Sequence, residues 1–198
     1  VVLAGAGPWL LAQTLRFGPS TFPWMLDVDG LAGPSARLAW CHGDAGIAAA
    51  LYGTACRVGR SDWRQAALDI ALKAAQRSAA TSRVRDAGLC HGAAGLGHLF
   101  NRLYQATRHP DLGDAARFWF EQTLTYRDEA RRDETEGIGG FWALDLGDDG
   151  RPEKVSDPGF LGGAAGVALA LLAATTDIEP RWDRLLLVSI PAAHAPVL

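Results

Sequence analysis

Three segments of the chain align without gaps, and that internal repeat limits the fold more than any other feature. They are Trp40-Cys41-His42-Gly43-Asp44-Ala45-Gly46-Ile47, Leu89-Cys90-His91-Gly92-Ala93-Ala94-Gly95-Leu96 and Phe160-Leu161-Gly162-Gly163-Ala164-Ala165-Gly166-Val167. Each reads x-x-x-Gly-x-Ala-Gly-apolar and leads into an Ala/Leu-rich run. A weaker copy is expected at Gly5-Ala6-Gly7, ahead of Leu10 and Leu11. Glycine permits positive φ and close approach of a second backbone, so each copy reads as a turn feeding a tightly packed helix. Composition agrees: 35 Ala and 23 Gly among 198 residues suit close helix packing better than strands, which favour β-branched and aromatic side chains.

Between the copies lie amphipathic segments. Ser61 is a plausible N-cap for a helix in which Trp63, Ala67, Ile70 and Ala74 recur at helical spacing. Asp111 to Arg131 forms another, with Phe118, Trp119 and Leu124 as its expected core. Val167 to Ala174 reads as a short buried helix. Apolar inner helices alternating with amphipathic outer ones are the pattern of stacked helical hairpins. The expected fold is all-α, an α/α toroid, incomplete here, with a short β-hairpin or long loop near 137–157. That irregular stretch ends at the turn signal Asp157-Pro158-Gly159. Nothing marks a domain boundary, so residues 1–198 read as a single partial domain.

Charge and length exclude several partners. With 19 Lys+Arg against 22 Asp+Glu, there is no basic surplus for nucleic acid or anionic lipid. No apolar run approaches the roughly 18 residues that span a bilayer. Three cysteines, an odd number, fit a reduced cytoplasm better than a disulfide framework. The first residues lack the basic start and cleavage site of a signal peptide, and the Val-Val beginning fits a piece of a longer protein.

Two of the repeat turns carry Cys-His. Cys41 and Cys90 occupy the same position of their copies, and in a closed toroid equivalent turns lie on one rim. Thiolate and imidazole are good zinc ligands, and a Cys2His set leaves one tetrahedral position open for substrate. Against this stands the plain alternative that each is a buried cysteine beside an unremarkable histidine. Cys56 reads as core, His98 as core or rim, His109 and His194 as solvated, and Asp44 as a helix cap. The Glu134/Glu136 and Asp148/Asp149 pairs read as a solvated loop. Trp63 and Trp119 read as outer-helix core, whereas Trp142 is a candidate to line a peptide groove.

Trp-Cys-x-Gly-x-x-Gly, followed some 45 residues later by Cys-His-Gly, resembles the lanthionine synthetase C-like family of lanthipeptide cyclases. The Phe-Leu-Gly-Gly-Ala-Ala-Gly run at 160–166 and Trp182-Asp183-Arg184-Leu185-Leu186-Leu187 extend the resemblance from about Arg37 to Val188. It implies an α/α toroid whose central zinc is held by Cys41, Cys90 and His91, with Arg37 and Trp40 at the family's functional arginine and tryptophan. His42 stands where the family usually has tyrosine; it either replaces that group, serves as acid/base, or is merely tolerated. The resemblance covers only the C-terminal half of such a cyclase. The family's catalytic aspartate and acid/base histidine have no counterpart here.

The implied reaction is Michael addition of a peptide cysteine thiol to dehydroalanine or dehydrobutyrine, closing a lanthionine ring. The implied substrate is a dehydrated precursor peptide, supplied by a dehydratase partner or fused domain. Two alternatives remain open: a related enzyme adding glutathione or another thiol, and a noncatalytic zinc-binding scaffold that holds peptide. A glycosidase-like toroid would need two axial carboxylates, and the repeat turns offer only Asp44.

Overall fold

The computed structural model describes residues 2–128, 137–147 and 149–192; the Glu134/Glu136 pair, Asp148 and His194 lie outside them. All three repeat copies open helices. They are α2 (Asp44–Val58), α5 (Ala93–Thr107) and α7 (Ala164–Thr175). Ahead of them lies α1 (Val2–Leu11) and a long loop. The amphipathic segments become α3 (Ser61–Ala75) and α6 (Pro110–Thr125), and α4 (Ala79–Ser82) is one short turn.

α2 pairs with α3 and α5 with α6, as two hairpins. α5 also packs on both α2 and α7, while α3 meets α6. The result is an inner row, α2–α5–α7, backed by an outer row, α3–α6. Small residues make the inner row possible: Ala45, Ala48, Ala49, Ala93, Ala94 and Ala170 are fully buried. Trp63 and Trp119 fill the space between rows, as expected of outer-helix core. β1 (Ala143–Leu146) and β2 (Pro152–Val155) form an antiparallel hairpin at the expected irregular stretch. A 3-10 segment, Arg181–Leu186, follows α7 and packs Trp182 on α5.

Several local expectations change. Gly5-Ala6-Gly7 lies inside α1 and forms no turn; Gly7 instead lets that helix press against the Trp63 ring, where a Cβ would clash. Ser61 makes no cap bond, because Arg60 occupies the cap position. Phe118 and Leu124 sit 36 % and 56 % exposed, since the buried stripe of α6 runs through Leu112, Ala116 and Trp119. α7 buries only the face of Gly166, Val167, Ala170 and Ala173, leaving Leu172 half exposed, because no outer helix backs it among the described residues.

Asp44 is the most informative correction. It is fully buried and makes no cap bond to its own helix. Its carboxylate accepts from the backbone N–H groups of Thr21 and Phe22 at 2.7 and 3.1 Å. Burial raises its pKa, and those two donors oppose the rise. The carboxylate thereby pins the loop that precedes α2. Arg77 reinforces it by donating to the Ala36 and Thr81 carbonyls.

Candidate metal centre

The last glycine of each copy explains the geometry of the turns. A Cβ at Gly46, Gly95 or Gly166 would collide with the carbonyl oxygen of Trp40, Leu89 or Phe160, the residue six positions earlier. Each chain therefore doubles back on its own helix start, and only glycine fits. Gly43 adds a φ of 151° at the first turn. The residues between the paired positions, including both cysteines, are pushed outward as a tight loop at the helix N-terminus.

The three loops are joined by their main chains. Trp40 N–H and Cys41 N–H both reach the Cys90 carbonyl, at 3.0 and 3.4 Å, and Cys90 N–H donates to the Leu161 carbonyl at 2.8 Å. Gly88 allows the second and third loops to approach, its Cβ position lying 2.9 Å from Gly162 O. This ladder sets Cys41 and Cys90 side by side although they are 49 positions apart.

Cys41, Cys90 and His91 present ligand atoms all within 4.8 Å of one another, the one such set of three or more among the described residues. Around a tetrahedral zinc, sulfur ligands about 2.3 Å from the metal sit roughly 3.8 Å apart, so small side-chain rotations close the set. All three cysteines are free thiols. The hydrogen bond from Cys90 draws the Cys41 pKa from 9.0 down to about 3, against the opposing effect of burial and with further help from His91 and His42. The same pairing, together with burial, pushes Cys90 up, with Arg37 pulling the other way. One thiolate beside one thiol is the state of a dithiol site that a metal completes by displacing the remaining proton.

The surrounding side chains divide by role. Asp86 Oδ2 lies 3.5 Å from His91 Nε2, the carboxylate–histidine arrangement that orients a ligand imidazole. Its Oδ1 accepts from Gly88 N–H at 3.0 Å, so the same residue shapes the turn. Asp86 escaped sequence reasoning; the available signal was Asp157, which holds the matching position of the third copy and bonds Gly159 N–H at 2.6 Å. Arg37 occupies that position in the first copy. Its Nε is buried without a hydrogen-bond partner. His42 is exposed, with Nδ1 3.1 Å from Cys41 Sγ. Trp40 points its ring N–H elsewhere, donating to the Leu186 carbonyl at 2.7 Å. Trp40 is thus a positioning residue that anchors the Cys41 loop to the C-terminal segment.

That segment is itself locked. Asp183 is buried and takes Arg102 Nε at 3.0 Å and His98 Nε2 at 3.3 Å. Trp182 packs against His98 and, edge-on, against Phe160. His98 is core, and Cys56 packs half-buried against it, both as expected. His109 is half-buried just ahead of Pro110, where solvation was expected.

Comparison with known proteins adds three findings. A family profile described as lanthionine synthetase C-like protein matches residues 16–187. No curated protein sequence matches. Among solved structures, nisin cyclase superposes with a TM-score of 0.56 at 21 % identity, over 80 % of this chain and 33 % of that one. The chain therefore spans about a third of the length of that structure, and the likeness is one of fold.

Proposed function

From the premise that this chain belongs to the lanthionine synthetase C-like family, we propose that it supplies the metal-binding part of a zinc-dependent thioether-forming cyclase. Residues 1–198 are then one partial domain, corresponding to the C-terminal half of an α/α toroid. The observation that carries the reading is the convergence of Cys41, Cys90 and His91 on one point at the rim of the inner helices.

These three residues would hold zinc, and zinc at a Cys2His set lowers the pKa of an incoming thiol and keeps it nucleophilic. Everything else falls to the chain's own groups. Addition of a peptide cysteine thiol to dehydroalanine or dehydrobutyrine forms one C–S bond and needs no oxidant. The thiol proton leaves, and an equivalent proton arrives at the α-carbon. Arg37, with a buried and unbonded Nε beside the dithiol, is suited to hold the oxygen on which negative charge develops. His42, next to Cys41 and open to solvent, is placed to hand a proton to the α-carbon. Asp86 holds His91, and Trp40 holds the Cys41 loop. The substrate is a dehydrated precursor peptide, which a dehydratase must prepare.

Metal analysis of the purified chain tests this directly. About one zinc per chain is expected, absent in Cys41→Ala and in Cys90→Ala. A wild-type chain that takes up no zinc would overturn the reading.

A further inference from the structure

A cleft of about 250 Å3 opens beside the dithiol, lined by Trp24, Arg37, His42, Arg83 and Arg85. Its polar lining is three arginines and His42, with no carboxylate. Among the described residues no acidic group lies within ion-pair distance of Arg37, Arg83 or Arg85. Their hydrogen bonding is equally sparse: Arg83 Nη1 reaches the Ser35 carbonyl at 3.4 Å, and Arg37 Nε has no partner. Three guanidinium groups gathered with no ion-pair partner among the described residues repel one another, and an anion relieves that cost. Guanidinium forks match a carboxylate in shape as well as in charge.

The remaining wall is apolar and held in place. Trp24 is half exposed, on a loop whose tip also exposes Met25, Val28 and Leu31. Gly33 packs against the Trp24 ring, where a Cβ would lie 2.7 Å away, so the indole is braced from behind. The loop is closed by the bridges Pro23–Ser35 and Leu26–Ala32, and Asp44 fastens its base. An indole face next to unpaired guanidinium groups suits a segment with an acidic side chain beside an apolar one.

We propose that this cleft anchors the peptide substrate through an acidic side chain close to its reacting cysteine, held by Arg83 and Arg85, with an apolar neighbour on Trp24. This deepens the cyclase reading, since it names what the peptide must carry and not merely that a peptide binds. An extended chain advances roughly 3.3–3.6 Å per residue, and the cleft shares Arg37 and His42 with the dithiol surroundings. The acidic residue therefore belongs within two or three positions of the cysteine.

Two labelled synthetic peptides test it, one with Glu two residues from a single Cys and a Leu beside that Glu, the other with Gln in place of Glu. Binding is read by fluorescence anisotropy to the zinc-loaded chain and to the same chain under chelator. The Glu peptide should bind at least tenfold tighter than the Gln peptide in both conditions. Arg85→Glu and Arg83→Gln should each shrink that preference to threefold or less while leaving the cobalt–thiolate absorption of the metal site unchanged. Trp24→Ala should weaken both peptides alike. Equal binding of the two peptides overturns the proposal. So does a preference that vanishes on chelation, which would make the carboxylate a metal ligand, or one that survives both arginine variants. A preference found for phosphoserine but not for Glu also overturns it. Zinc content is measured separately, so a chain that binds no metal yet keeps the preference defeats the cyclase reading and leaves this one standing.

Discussion

At the scale of single residues, buried His98 makes the chain's stability depend on acid. His98 is 1 % exposed, and burial lowers its pKa below 6.5 against the pull of Asp183. Arg102 and Glu179 complete the charged groups around it. The unfolded chain thus binds the proton that the folded chain refuses. Stability is lost as pH falls below about 6.5, by up to about 1.4 kcal/mol per pH unit while the difference lasts. His98→Gln should flatten this acid limb in denaturant titrations between pH 7 and 5; an unchanged slope would assign the loss to another group. Asp44 acts differently. Asp44→Ala strands the Thr21 and Phe22 donors in a dry site, a loss of about 2–4 kcal/mol from two unmet hydrogen bonds. Urea unfolding checks it, and Asp44→Asn should recover part of the loss by keeping one acceptor. The sequence showed Asp44 only as the first residue of a helix, because its partners lie more than twenty positions upstream. Cys41, Cys90 and His91 were legible for the opposite reason: a repeat converts positions far apart in sequence into equivalent places on one rim. Asp86 and the Arg83–Arg85 pair carry no repeat signature strong enough to stand out, and only the folded turn brings them to the site.

Among the helices, the repeat glycines at the helix starts differ from one in mid-helix. Gly95→Ala places a methyl group against the Leu89 carbonyl and must force the second loop open. Both the Cys90 N–H bond to Leu161 and the ligand set depend on that loop. Loss of zinc binding is expected, together with destabilisation of several kcal/mol, of the order seen when a strained backbone site is forced. Gly53 lies mid-helix in α2, and its Cβ would meet the Arg57 guanidinium at 3.3 Å, a group tied to the Gly53 and Ser189 carbonyls, with other atoms more distant. The helix-propensity gain of Gly53→Ala, about 0.5–1 kcal/mol, is set against the cost of shifting Arg57, so the change should be far smaller than at Gly95 and leave zinc content unchanged. Thermal melts and metal analysis of the pair separate the two roles; equal effects would deny the distinction. Alternation of inner and outer helices was readable from periodicity, and so was the hairpin from its Gly and Asp-Gly turns. Phe118 and Leu124 were misplaced because a helix with aromatic residues at adjacent positions offers two overlapping stripes, and only the neighbouring helix decides between them.

Across the whole molecule, the inner row is covered unevenly. α2 and α5 have outer partners, whereas α7 is apolar around its circumference and exposes Leu172. Leu161, Leu185 and Leu187 add to the exposed apolar surface, at 43 %, 75 % and 74 %. A surface of this kind favours self-association. Sedimentation velocity should show concentration-dependent association of this chain in the micromolar range, reduced in Leu172→Lys. A monodisperse monomer at high concentration would count against it. No helix among the described residues is long and apolar enough to cross a membrane.

The ladder that joins the three loops has a consequence for which substitutions the chain tolerates. Leu161 supplies the Cys90 amide with an acceptor through its main chain, while its side chain points partly into solvent. The third loop therefore contributes geometry without contributing chemistry, and its lettering is free where its path is not. A saturation library scored for zinc retention should accept nearly any residue at 161 and almost none at Gly88 or Gly163, where backbone lies against backbone. A repeat can thus shed its ligands over time and still be indispensable, because what the other copies need from it is a shape.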